Sequence, residues 1–216
     1  MLHRRVQPTC ANLLGLVLAC SVARPALGHP HVWITARAEI VFLDGQVTEI
    51  HHHWTFDAAY SAYAVQGLGS SDGTLGDGQL RLLAKINTDA LGEFGYFTLL
   101  TANDQAQAFA PPRDYAMVLN QGQLTLTYTL PLKAPSPRGQ ALLFEFQDPT
   151  YFASFTLAEG DDAVQLVQAP QGCVATVTRP TSALPGQTFS DAFIQALSAQ
   201  SSFGANAIIK AVVTCR

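Results

Sequence analysis

The stretch "VWITARAEIVFLDGQVTEIHHHWTF", residues 32–56, decides the fold class of this chain. In its first half an apolar side chain stands at every second position, and these residues share one face: Val32, Ile34, Ala36, Ala38, Ile40 and Phe42. A period of two predicts a β-strand with one buried face. The dipeptide Asp44-Gly45 then indicates a tight turn, so the second half is predicted to return as an antiparallel partner strand.

The same alternation recurs along most of the chain. It predicts further strands at 93–101, 115–119, 122–130, 140–147, 152–158, 163–168, 174–178 and 207–214. Helical spacing of apolar residues appears in three places, at 57–67, 79–92 and 189–200. We therefore expect a mainly β protein, an antiparallel β-sandwich with two or three peripheral helices.

The hairpin can close in two ways. A three-residue loop at 43–45 pairs Val32 with Phe56 and keeps apolar side chains opposite one another. A two-residue Asp-Gly loop instead sets Val32 opposite Asp57, which places a carboxylate beside the core. The apolar pattern favours the longer loop, and in that register His31 lies directly opposite Asp57.

The amino-terminal residues are typical of a secretory signal peptide. Arg4 and Arg5 precede the apolar run "ANLLGLVLACSVA", which ends in small residues and is about 13 residues long, too short for a membrane-spanning helix. We expect a signal peptide at 1–28 and a single exported β-rich domain at 29–216 that is not an integral membrane protein. The alternative is a lipoprotein anchored at Cys20, because "VLAC" loosely resembles a lipoprotein cleavage box.

Charge and motifs exclude several classes of function. The predicted signal contains three of the 12 Lys and Arg residues and none of the 16 acidic residues, which leaves 9 against 16 and a net charge of −7. So acidic a surface argues against nucleic acid as a partner and is compatible with cations. The chain has no recognisable nucleophile–base pair, no phosphate-binding glycine loop and no CxxC motif, and we expect no enzyme activity.

Two of the four cysteines, Cys10 and Cys20, fall in the predicted signal. An exported chain that keeps only Cys173 and Cys215 most simply forms one disulfide between them. The alternative, a thiolate pair that binds a metal, is less favoured because the spacing is not that of a zinc knuckle.

Histidines near the predicted cleavage point suggest a metal site. Cleavage after residue 28 leaves His29 with a free α-amino group, so this residue offers an amine and an imidazole that can chelate one ion. His31 and its predicted partner Asp57 would complete the site. Pro30 excludes the amino-terminal chelate that needs a deprotonated amide at the second position.

Each of these residues also has an ordinary interpretation. His29 and His31 can belong to a frayed terminus, and Asp57 can be the N-cap of the helix that follows it. In the triplet 51–53, alternation predicts two histidines on a solvated strand face and a half-buried core histidine, His52, between them.

Several motifs together resemble the family of exported proteins called domain of unknown function 1007. They are "HPHVWI", "HHWTFDAAYSAYAVQGL", "EFGYFT", "LTLTYTLPL", "QDPTYF" and "PQGC". The resemblance implies a periplasmic location and a role in handling divalent transition metals beside nickel/cobalt-type permeases. It carries over the motif residues His29, His31, Trp54, Asp57, Asp148 and Tyr151. Asp148 would otherwise be explained as a strand end before proline.

We therefore expect a periplasmic metal-binding accessory of a transport system, with His29, His31, Asp57 and Asp148 as metal ligands. Amine and imidazole ligands suit Ni, Co, Zn and Cu ions alike, so the ligand set does not name the ion. The partner would be an inner-membrane metal permease or an ABC-type transporter. Two alternatives remain: a copper enzyme with an amino-terminal histidine brace, and a metal-free interaction module for a permease.

Overall fold

Alternating strands build almost the whole fold. The computed structural model describes residues 31–69, 75–139, 141–148, 150, 152–160, 162–178 and 209–215. The strands are β1 Val32–Leu43, β2 Gln46–Phe56, β3 Thr98–Ala102, β4 Gln105–Ala106, β5 Arg113–Asn120, β6 Gln123–Pro131, β7 Leu142–Phe146, β8 Ala153–Leu157, β9 Val164–Val167, β10 Cys173–Thr178 and β11 Ile209–Cys215. The helices are α1 Ala58–Ala64 and α2 Asp77–Leu91, and a 3-10 segment, Gly92–Phe97, follows α2.

The first sheet is centred on the predicted hairpin. Its order is β5-β6-β2-β1-β8, and β9 pairs with the far half of β1. Strands β8 and β9 run parallel to β1, one after the other along the same edge, whereas the other pairings are antiparallel. Because β1 is paired on both sides, it lies in the interior of the sheet.

The second sheet has the order β10-β11-β7-β3-β4 and packs against the first. The side chains predicted to share the buried face of β1 are all buried. Aromatic rings join the two sheets, since Trp54 of the first sheet lies 6.3 Å from Phe146 of the second, centroid to centroid. Such aromatic pairs add about 0.5–1.5 kcal/mol each to the free energy gained from burial. The mainly β, sandwich-like fold class is confirmed.

The hairpin follows neither of the two predicted registers along its whole length. Leu43 pairs with Gln46 across a two-residue Asp-Gly turn, and a β-bulge then shifts the register so that Val41 pairs with Glu49. Thr48 is the extra residue of this bulge. The bulge restores apolar side chains to the core, and Ile34 ends opposite Phe56.

The predicted register is therefore wrong by two residues. Asp57 directly follows the last β2 residue and lies beside Trp33, because Asp57 N–H donates to the Trp33 carbonyl at 2.9 Å. The predicted pairing of His31 with Asp57 does not form. Apolar side chains do face one another across the hairpin, as expected, but a bulge achieves this and not a longer loop.

Two of the three predicted helices lie in the described residues and are present as α1 and α2. The third, at 189–200, lies outside them. The strand predicted at 93–101 begins only at Thr98, because Gly95, Tyr96 and Phe97 adopt positive φ angles of 60°, 58° and 48°. No helix among the described residues is long and apolar enough to cross a membrane.

The disulfide forms as predicted. Cys173 and Cys215 are bonded with an S–S distance of 2.01 Å, and they lie directly opposite one another on β10 and β11. Their positions in the sequence are 42 residues apart, so the bond links two adjacent strands of the second sheet that are distant in the sequence.

Candidate functional site

Asp57 connects the start of β1 to the first helix. Its Oδ1 accepts hydrogen bonds from the backbone N–H groups of Ala59 and Tyr60 at 2.8 and 2.9 Å, which makes it the N-cap of α1. Its Oδ2 accepts from Trp33 N–H at 2.9 Å. Burial opposes ionisation, but the backbone donors of Trp33, Tyr60 and Ala59 outweigh it and hold the pKa of Asp57 below its ordinary value.

Asp148 has the same kind of role on the neighbouring segment. Its Oδ1 accepts from the backbone N–H and the hydroxyl of Thr150, and its Oδ2 accepts from Ala153 N–H at 2.6 Å. Ala153 is the first residue of β8 and pairs with Val32 of β1. Asp148 therefore orders the turn that leads into the strand beside β1.

His31 lies where these two segments meet. Its backbone N–H donates to the Phe152 carbonyl at 2.8 Å, and its exposed imidazole stands 5.3 Å from the Phe152 ring, centroid to centroid. Asp148 accepts a hydrogen bond from Ala153, the residue after Phe152, and Asp57 accepts one from Trp33, two residues after His31. The structure thus gathers three of the four predicted site residues around the start of β1.

The fourth predicted ligand, His29, and the motif residue Tyr151 lie outside the described residues. Within the described part of the chain, no group of three or more His, Cys, Asp or Glu side chains is arranged to hold a metal ion. Each aspartate already accepts three hydrogen bonds from the protein, two on Oδ1 and one on Oδ2. Metal ligation by these residues stays a prediction.

The outer face of the first sheet carries a second polar cluster. His51 Nδ1 lies 3.0 Å from Glu39 Oε2, and His51 Nε2 lies 2.9 Å from Glu49 Oε1. Glu49 also forms an ion pair with Arg113. The two carboxylates lie at opposite nitrogens of the His51 ring, so the three side chains form a linear chain. In this arrangement they do not converge on one metal ion.

His52 is buried more completely than the sequence analysis expected. It is 0% exposed, stacks on Tyr128 with ring centroids 4.6 Å apart, and lies beside Trp54 and Phe146. Burial, assisted by the charges of the flanking histidines, lowers the pKa of His52 to about 3. The core interpretation of this residue is confirmed, and the imidazole is neutral there.

Three polar atoms of this core aromatic cluster make no hydrogen bond within the described residues: His52 Nδ1, Trp54 Nε1 and Tyr128 Oη. His52 Nε2 pairs with the hydroxyl of Thr98 at 3.4 Å, and that hydroxyl itself donates to the Tyr96 carbonyl. Burial raises the pKa of Tyr128 well above its ordinary value, against a smaller opposing effect of Thr98. These atoms lie among aromatic rings, which makes the cluster part of the core and not an open site.

Comparison with known families assigns the chain. Residues 14–215 match the model of a family described as a protein of unknown function, DUF1007. The chain is a member of the DUF1007 family. No curated protein sequence matches it.

In this DUF1007 protein, the motifs seen in the sequence have distinct structural roles. "WTFD" supplies a core ring and the Asp57 cap, and "DPTYF" supplies the Asp148 turn and the Phe152 ring beside His31. Sequence reasoning missed Trp33 and Phe152 as the partners that place these groups. The missing information was strand register and the parallel pairing of β8, which local alternation does not specify.

Proposed function

We propose that this DUF1007 protein is a periplasmic accessory of a metal transport system that binds a divalent transition-metal ion of the Ni, Co, Zn or Cu class. The ion is cargo, held by the imidazole of His31 and by the amine and imidazole of His29 once export has made His29 the first residue. The partner is an inner-membrane metal permease or an ABC-type transporter. Family resemblance supports the transport role.

The observation that carries the proposal is the anchoring of His31. Its backbone bond to Phe152 and the bond of the nearby Trp33 to Asp57 hold the start of β1 while the imidazole stays exposed. A fixed backbone with an accessible ring lowers the entropy cost of forming a chelate. This arrangement also argues against a frayed terminus at His31.

In this proposal the two aspartates are not ligands but hold the backbone around His31. Their oxygens already accept backbone donors on both sides of the start of β1, so we assign Asp57 and Asp148 as positioning residues. Their negative charges, together with the acidic net charge of the exported domain, favour the approach of a cation.

The disulfide supports the location. A bonded pair such as Cys173–Cys215 is typical of proteins that fold in an oxidising compartment, and the bacterial periplasm is one. The disulfide and the resemblance to exported proteins therefore support the same location.

The test compares two forms of the protein. One begins at His29, and the other carries one extra residue before it, which moves the amine away from the His29 imidazole and leaves every side chain unchanged. Titration with nickel, copper and zinc at neutral pH should show at least tenfold weaker binding to the extended form. Loss of a group that only hydrogen-bonds to a metal ligand already lowers metal affinity about tenfold or more, and loss of a ligand should cost at least as much. Equal affinities would show that the amine is not a ligand.

Side-chain variants separate ligands from positioning residues. His31→Ala should abolish tight binding, whereas His51→Ala is the matched control because His51 lies in another cluster on the outer sheet face. If His31→Ala binds metal like the wild type in the correctly processed form, the proposed site is wrong.

A further inference from the structure

A cavity of about 190 Å³ lies beside the start of β1 and has no role in the proposed metal site. It is formed where the ends of β1 and β2 meet α2 and the 3-10 segment. Its aromatic lining residues are Trp54, Phe56, Tyr60, Phe94, Phe97 and Phe152, and aliphatic side chains such as Val32, Ile34 and Leu91 complete the wall. The volume exceeds the roughly 150 Å³ of an engineered apolar cavity that binds benzene.

Two polar side chains in the wall, Tyr60 and Asn87, are already hydrogen-bonded, and the third polar atom, Trp54 Nε1, is buried and makes no hydrogen bond within the described residues. The hydroxyl of Tyr60 donates to Asn87 Oδ1 at 3.0 Å, and Asn87 Nδ2 donates to the Leu83 carbonyl at 2.9 Å. Among the described residues that line the cavity, none is Asp, Glu, Lys, Arg or His. A charged ligand would lose its hydration here without gaining an ionic partner.

The wall is built at a conformational cost. Gly95, Tyr96 and Phe97 follow one another with positive φ, a region that bulky residues rarely adopt. This segment ends with Phe97 buried against Trp54, with ring centroids 6.4 Å apart, and Phe94 stacks on Phe97 at 5.5 Å. Two strained non-glycine residues thus hold two of the aromatic rings that form the cavity.

Exposed residues in the lining show that the cavity reaches the surface. Phe94 and Phe152 are 42% and 45% exposed although their rings also line the cavity. Ala90 of α2 is exposed and lines it as well. A small molecule therefore has a route in that does not require the sandwich to open.

We propose that this cavity binds a small, uncharged, largely apolar molecule of about one aromatic ring. Its recognition comes from the shape and the aromatic wall, since Tyr60 and Asn87 are already hydrogen-bonded and Trp54 Nε1 is buried. This binding needs no metal, so its test is independent of the test of the proposed function.

Three probes of the same ring size and different charge test the proposal: toluene, benzylamine and benzoate. The chain has two tryptophans, and Trp33→Phe leaves Trp54 in the cavity wall as the fluorescence reporter. Toluene should change Trp54 emission and, at tenfold excess over Kd, raise Tm by about 3 °C. Both charged probes should bind at least tenfold more weakly than toluene.

Filling the cavity from outside supplies the matched variants. Ala90→Phe places a ring in the cavity from an exposed helix position and should weaken toluene binding at least tenfold without lowering Tm. Ala62→Phe, an exposed alanine of α1 that does not line the cavity, should bind toluene like the wild type.

Three results would overturn the proposal. Unchanged emission and Tm with toluene would show that the cavity takes no such ligand, as when another part of the chain fills it. Equal binding by Ala90→Phe would place the ligand elsewhere. Benzylamine binding as tightly as toluene would indicate a cation site formed by the ring faces.

Discussion

At the scale of single residues, Asp57 shows how one carboxylate connects two elements. One oxygen caps α1 and the other fixes the backbone of Trp33 at the start of β1. A neutral cap residue can replace only half of this arrangement. The side chain is therefore a link between helix and sheet, and its two oxygens have separable effects.

We predict that Asp57→Asn destabilises the fold by about 1–2 kcal/mol. Asparagine still offers one oxygen to the helix, but its amide nitrogen then faces the Trp33 N–H, donor against donor. Asp57→Ala also loses the cap and should cost about 2–3 kcal/mol. Urea unfolding measures both, with Asp89→Asn as the control, since its ion pair with Lys85 is exposed and solvent screening leaves it little effect on stability. An unchanged Asp57→Asn would contradict the two-sided role.

His52 makes the fold sensitive to acid. Its pKa is about 3 in the fold because burial disfavours the charged ring, against an ordinary value of 6.5. Below 6.5 the unfolded chain binds a proton that the folded chain does not, so stability falls as the pH drops towards 3. The loss due to this residue is about 1.4 kcal/mol per pH unit.

We expect His52→Leu to remove that part of the pH dependence. At pH 7 its stability should stay within about 1.5 kcal/mol of the wild type, because the sizes are similar and the imidazole Nδ1 makes no hydrogen bond to the described residues. Urea unfolding at pH 7, 6, 5 and 4 gives the slope, and His53→Gln on the outer sheet face serves as the comparison. Parallel slopes for wild type and His52→Leu would refute the assignment.

At the scale of elements, the hairpin separates what alternation predicts from what it cannot. Apolar positions at every second residue identified both strands and the buried face of β1. Alternation does not say where an extra residue is absorbed, and the Thr48 bulge is invisible to it because the pattern resumes on the correct face. The His31–Asp57 pairing depended on that detail and was wrong.

Glycine-to-alanine substitutions in the turn and in the helix should change the stability of the fold in opposite directions. Gly45 has φ +77° in the Asp-Gly turn, and Gly45→Ala should lower stability by about 1 kcal/mol. Gly78 lies in the first turn of α2 with open space around it, so Gly78→Ala should raise stability by up to about 1 kcal/mol. Thermal unfolding of the two variants checks both signs: a higher Tm for Gly45→Ala would contradict the turn geometry, and a lower Tm for Gly78→Ala would contradict the open helical position.

At the scale of the whole molecule, composition and pattern were enough for the β-rich fold and the disulfide. The candidate site was less predictable, because it depends on β8 lying parallel to β1 and bringing Phe152 to His31. Such non-local pairings leave no periodic trace in the sequence. The 3-10 segment was predicted as strand for a related reason, since a run of positive φ at Tyr96 and Phe97 is not a local preference.

The disulfide should supply a large share of the stability. It closes a long loop between β10 and β11, and the chain-entropy model gives about 4 kcal/mol for a loop of this length. Replacing both Cys173 and Cys215 with Ser should lower the free energy of unfolding by about that amount in urea. Wild type unfolded in the presence of reductant should match the double variant, and a loss below about 1 kcal/mol would show that the bond adds little.

The consecutive pairing of β8 and β9 with β1 also bears on how copies of the protein behave when crowded. The edge of the first sheet that β8 and β9 form is interrupted between Leu157 and Val164, so its outward amide and carbonyl groups do not form one long row. A continuous row would offer a neighbouring molecule a template for edge-to-edge strand addition. A broken edge permits only a short intermolecular ladder, which protects folded copies from assembling through this side of the sandwich.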